Sequence, residues 1–220
     1  MTFLLRHERS LLLLATLLVL LGSGWQPHDR ATWWLEVAPV LIALPILLAT
    51  HHRHPLTPLL YRLLFLHGVI LMVGGHYTYA RVPLGFWFAD WFDLTRNHYD
   101  RLGHLAQGFV PALLAREILL RATPLRGAGW IWLLVTAVAL AVSALYELLE
   151  WAVALISAEA AESFLAMQGD VWDTQWDIFL ALIGALLAQW LCGRQHDREL
   201  ARLRQRSITN PSPQSAPEKH

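Results

Sequence analysis

Cysteine is almost missing from this chain of 220 residues. Only Cys192 occurs, which excludes an intrachain disulfide and any zinc site built on several cysteines. Charge is scarce as well: 15% of residues are charged and 55% hydrophobic, where a soluble domain carries roughly a quarter charged. With a mean hydropathy of +0.39, the deficit points to a membrane protein. The 17 basic and 17 acidic residues cancel, so there is no net pull toward nucleic acid. No phosphate-binding G-x-x-x-x-G-K-S/T loop, Gly-rich dinucleotide loop, G-x-S-x-G elbow or H-E-x-x-H pair occurs. Nucleotide hydrolysis and serine-hydrolase chemistry therefore have no visible basis. What is abundant is tryptophan, eleven in all, suited to belts at headgroup depth.

The apolar runs predict an all-α bundle of about six transmembrane helices. Ser10–Leu21 follows the basic head Arg6-His7-Glu8-Arg9. It lacks an A-x-A cleavage pattern and is taken as an uncleaved first span rather than a signal peptide. Thr32–Thr50 is the second, carrying Pro39 and Pro45, which membrane helices tolerate. Leu56–Ala80 is the third, with His67 read as a hydrogen-bonded core histidine rather than a ligand. Residues from about His98 to Leu120 form the fourth, Trp130–Ala154 the fifth and Asp173–Cys192 the sixth. The aromatic, acidic stretch Arg81–Asn97 reads as lying on the membrane. Glu159 and Glu162 read as solvated loop charges. Along the sixth span Asp173, Asp177, Ala181, Gly184 and Ala188 make a stripe that lets a neighbour pack closely. Residues 1–193 thus form the membrane domain, and 194–220 a basic, partly disordered cytosolic tail.

Six spans put both termini on one side, which holds Arg6, Arg9, Arg53, Arg62, Arg116, Arg121, Arg126 and the tail bases. Only Arg30, Arg81, Arg96 and Arg101 fall on the other. By the positive-inside rule the chain is N-in and C-in. That orientation brings three polar stretches to one outer level: His98-Tyr99-Asp100-Arg101-Leu102-Gly103-His104, Tyr146-Glu147-Leu148-Leu149-Glu150, and Asp170 to Asp177. Asp100 and His104 are four apart and share a helical face. His76, Asp173 and Glu36 lie at a similar depth as secondary candidates.

Ionisable groups in spans are costly and are functional candidates by default. Carboxylates crowded in a poorly solvated place require altered protonation, histidinium partners or a bound cation. A divalent metal held by Asp100, His104, Glu147 and Asp177 would relieve the imbalance. Glu150 is then the candidate base, and Arg101 the holder of an anionic group. Such a site could activate water or polarise an oxygen of a lipid or lipid-linked headgroup. Two other readings stay open: a structural network in a non-catalytic scaffold, and an ion or small-molecule transporter. The inner halves of the spans offer little beyond His67 to continue a pathway. The sequence fixes neither the metal nor the oligomeric state.

Four motifs carry a resemblance: Trp33 to Pro39, His98 to His104, Tyr146 to Trp151, and Gln168 to Asp177. Together they resemble the YjdF-like family of bacterial inner-membrane proteins, over roughly residues 25 to 192. The resemblance implies a multi-pass inner-membrane protein and brings no activity with it. More distantly, the order of Asp100, His104, Glu147 and Asp177 is similar to VanZ-like membrane proteins. Glu150 stands where those have Gln, and Ala181 where they have Asn, so no resistance function is carried across.

Overall fold

The computed structural model describes residues 2–156, Phe164 and residues 167–209. Glu159, Glu162 and the last eleven residues of the expected tail (210–220) lie outside the described residues. The elements are α1 (Thr2–Gly24), α2 (Arg30–Thr50), α3 (Pro58–Tyr77), a 3-10 turn (Tyr79–Arg81), α4 (Pro83–Phe92), α5 (Tyr99–Ala122), α6 (Ala128–Ile156) and α7 (Asp173–Thr209). No strand occurs among the described residues. The protein is a polytopic helical membrane protein.

Among the described residues five helices are long and apolar enough to cross a membrane: α1, α2, α3, α6 and α7. The fourth expected span, α5, has the length but not the composition, since it carries Asp100, Arg101, His104, Arg116, Glu117 and Arg121. Its position explains the difference. Near its start Tyr99 donates to the carbonyl of Ile70 late in α3, at 3.1 Å. Near its end Glu117 accepts from Thr57, the N-cap of α3. α5 therefore runs antiparallel to α3 along its whole length. It packs most extensively on α7, then on α6 and α3. A helix ringed by protein need not be apolar, because its polar groups face partners rather than lipid.

Two apolar cores hold the bundle. One joins α2, α3 and the turn through Val37, Val40, Leu71, Met72 and Tyr79. The other joins α3, α5, α6 and α7 through Leu60, Leu113, Val135, Ala185 and Ala188. The small-residue stripe of α7 is what lets it approach α5. A Cβ on Gly108 would fall 1.9 Å from the carbonyl oxygen of Ala181, and one on Gly184 would fall 2.1 Å from that of Leu105. The two backbones touch at this crossing. By contrast α1 and α2 each pack chiefly on α3.

α4 has ten residues, about 15 Å, too short to cross a hydrocarbon core of about 30 Å. It buries Gly85 and Ala89 and exposes Phe86, Trp87, Trp91 and Phe92. α7, at 37 residues, is about 55 Å long and extends well past any bilayer.

The start of α2 is fixed by a cap. Asp29 accepts from the Thr32 backbone N–H at 2.7 Å, and that hydrogen bond holds its carboxyl below the ordinary carboxylate value. A lowered carboxyl stabilises the fold above its unfolded-state pKa, and the benefit fades as pH falls through the folded value. Asp29→Ala is expected to cost about 1 kcal/mol near neutrality. In thermal melts in detergent the gap to wild type should narrow in acid; a gap independent of pH would refute the cap.

Candidate functional site

His104 lies at the centre of the polar cluster, 4% exposed in the second turn of α5. Its Nε2 approaches Asp100 Oδ1 at 3.5 Å and Asp177 Oδ2 at 3.8 Å. Its Nδ1 approaches Glu147 Oε1 at 3.7 Å. The arrangement follows from helical register. Asp100 precedes His104 by one turn on α5, and Gly108 follows by one turn, where α7 touches. Asp177 lies one turn before Ala181 on α7, so the crossing brings it onto the imidazole. Glu147 comes from α6.

Asp100, His104 and Asp177 can each offer one ligand atom, all within 4.8 Å of one another. All three are buried. Asp100 Oδ2, Asp177 Oδ1, Glu147 Oε1 and His104 Nδ1 have no hydrogen-bond partner among the described residues. Glu147 faces the opposite edge of the imidazole from the two aspartates, so it is separated from the set that they form.

The remaining candidates spread around this centre. Glu150 and Glu36 are buried and line the same cavity as Asp100 and His104. Glu36 accepts from the Tyr146 hydroxyl at 2.9 Å. Arg101 turns to Asp170 at 3.0 Å, its guanidinium over the Trp176 ring at 5.3 Å. Arg96 bridges Asp170 at 3.0 Å and Asp173 at 2.8 Å. The Gln168 side chain pairs with both backbone groups of Asn97. These contacts pin the segment before α7 onto the segment before α5, which accounts for the Gln168 to Asp173 motif. His76 stands apart, its Nδ1 against the Ser23 carbonyl at 2.9 Å.

A second buried centre lies at the opposite end of the bundle, and the sequence reading did not single it out. Glu117, 1% exposed, accepts from the Thr57 backbone N–H and hydroxyl, from Arg121 and from His196, which is fully buried. Arg116 donates to His196 Nδ1 at 3.2 Å. A guanidinium has only donors, so Nδ1 accepts and Nε2 carries the proton given to Glu117. Gln189 also donates to Thr136 across α6 and α7 at 3.0 Å. The expectation that this half of the bundle holds little beyond His67 is thus corrected. The signal was present as Glu117 within the fourth expected span and Arg121, four residues on, just past its expected end.

A family described as predicted membrane protein (DUF2238) matches residues 9–198. The chain belongs to this family. The inner membrane protein YjdF of Escherichia coli (strain K12) is 55% identical over 185 residues, covering 84% of this chain and 88% of that protein. The DUF2238 match takes in both buried centres and, in whole or part, each of the seven helices among the described residues. The similarity to VanZ-like proteins gains no support from these comparisons. No solved structure matches the chain.

Proposed function

We propose that this DUF2238 protein is a divalent-metal-dependent enzyme of the inner membrane, acting on the headgroup of a lipid or lipid-linked molecule at the outer face. The observation that carries the reading is the set Asp100, His104 and Asp177, buried, convergent and with unpartnered carboxylate oxygens. Buried carboxylates without hydrogen bonds are costly, and a cation would satisfy them. One imidazole with two carboxylates suits zinc, manganese or iron. Glu147 lies 3.7 Å from Nδ1, and on closing to hydrogen-bond distance it would orient the ring, as carboxylates do for metal-bound histidines.

A metal held there supplies Lewis-acid activation of water or of a phosphoryl or carbonyl oxygen. Glu150, on the cavity wall beside the triad, is the base that takes the proton of attacking water. Arg101 is positioned by Asp170 and Trp176 at the rim, where it would meet an anionic headgroup. The outward assignment is supported by charge. Arg9, Arg62, Arg116, Arg121 and Arg204 gather with Glu117 and His196 at one end, through contacts such as Arg62 with Glu8 and Arg204 with the Leu120 carbonyl. By the positive-inside rule that end is cytoplasmic.

Elemental mass spectrometry on purified protein tests this. Wild type is expected to hold about one equivalent of a divalent metal after loading, and Asp177→Asn to lose it at unchanged melting temperature. Glu147→Gln should weaken retention by about 10- to 100-fold. A well-folded protein that takes up no zinc, manganese, iron or magnesium would overturn the proposal and leave the cluster as a structural network.

A further inference from the structure

A cavity of about 440 Å³ opens from the cluster and runs along the bundle between α1, α2 and α3 on one side and α5 and α6 on the other. Its two ends differ. At one end it reaches Glu36, Asp100, His104 and Glu150; at the other it reaches Arg9, His51 and Tyr61. Between them the wall is mostly hydrocarbon, including Leu13, Ala43, Leu47, Phe65, Pro111 and Leu114, broken by Thr16, Gln107 and His67. The His67 Nε2 has no hydrogen-bond partner among the described residues, so the expected core hydrogen bond is not found there.

On α2 the lining residues Glu36, Val40, Ala43, Leu47 and His51 recur every three or four positions, so one face of that helix borders the cavity from end to end. Fifteen residues of helix span about 22 Å. That is the length of an extended fatty acyl chain, and the cavity is a single channel.

The cavity has a side. α2 packs chiefly on α3, and α6 presents Val142, Tyr146 and Glu150 to the cavity from across it. The hydrogen bond from Tyr146 to Glu36 bridges the two helices near the cluster. An apolar cavity is a poor place for water, and both bordering helices are long and apolar enough to cross a bilayer. The chains that surround them there are those of the membrane's own lipids.

We propose that this cavity holds one acyl chain of a membrane phospholipid. The lipid straddles the seam between α2 and α6, with its second chain in the bilayer and its headgroup beside Asp100, His104 and Glu150. The chain end lies toward Leu13 and Leu47. This names the substrate class for the site proposed above and rests on that reading for the headgroup chemistry alone; occupancy of the cavity stands without it.

The test uses the full-length protein in nanodiscs of phosphatidylethanolamine and phosphatidylglycerol. The nanodiscs carry a trace of phosphatidylglycerol with a photoreactive diazirine at the end of one acyl chain. Cross-links are expected on cavity-facing positions of α1 and α2 near Leu13 and Leu47. Ala43→Trp, which fills the channel, should reduce them at least fivefold at unchanged melting temperature, with Leu47→Trp as the second variant should the first fail to fold. Labels confined to the lipid-facing Ile42 and Ile46, or labelling unchanged in both tryptophan variants, would overturn the proposal. So would capture of a diazirine-tagged polyprenyl phosphate in the cavity with exclusion of the phospholipid. Repeating the labelling with Asp177→Asn separates the two readings. Cavity labelling without bound metal in any variant sinks the metal enzyme and keeps the chain site; metal retained without cavity labelling does the reverse.

Discussion

Gly108→Ala is expected to destabilise the protein by about 3 kcal/mol, although alanine is ordinarily the better helix former. A Cβ at this position would fall 1.9 Å from the Ala181 carbonyl oxygen and 2.6 Å from the Ala181 Cα. Both are backbone atoms of α7 and cannot rotate away as a side chain would. Relief requires α5 and α7 to part, and the most extensive helix contact in the bundle lies between them. Overpacking of this kind costs about 1–3 kcal/mol, sometimes more, and the backbone contact puts this site at the upper end. Gly184→Ala should behave alike, since its Cβ would meet the Leu105 carbonyl at 2.1 Å. Gly193→Ala on α7 is the control, because nothing lies within 4 Å of its Cβ. There the substitution should be neutral or stabilise by up to about 1 kcal/mol. Thermal melts in one detergent read all three, and equal melting temperatures would refute the close crossing.

Glu117→Gln is expected to cost about 3 kcal/mol. The carboxylate takes donors from three elements: Thr57 before α3, Arg121 on α5 and His196 on α7. An amide cannot accept at both ends, so its NH₂ group is forced against a donor while Arg121 loses its charge partner. Thr57→Val removes one hydroxyl donor and, with it, the α3 cap that accepts from the Leu60 N–H, and should cost about 2 kcal/mol. Because this clamp lies at the end of the bundle away from His104, Glu117→Gln protein that remains folded should keep whatever metal the wild type holds. A melting temperature unchanged in Glu117→Gln would show that the clamp contributes nothing.

Much of the site was legible because it follows from register and topology. Asp100 and His104 share a face on any helix, and antiparallel spans bring α6 and the start of α7 to the same level. The stripe of Asp177, Ala181, Gly184 and Ala188 also reads directly, since small residues at helical spacing mark a close approach. Other features were hidden for physical reasons. Which edge of the imidazole faces Glu147 depends on the rotation of α6 about its axis, which apolar periodicity leaves loose on a helix hydrophobic all round. Arg101 is one residue from Asp100, yet helical geometry turns it about 100° away, toward Asp170. His196 lies beyond the expected end of the sixth span, so nothing in a hydropathy profile ties it to Glu117. The cavity is a property of five helices leaving space, and no single stretch of sequence records that.

The α5–α7 crossing has no side chains between its backbones, and this divides the molecule's labour. The spacing of His104 and Asp177 is set by main chain, one turn from the contact, so it is insensitive to substitutions in the part of the channel wall that α1 and α2 build. Those two helices lean on α3 and leave the crossing alone. On the proposals above, a rigid frame with an exchangeable wall would let the accepted molecule change without disturbing the groups that act on it.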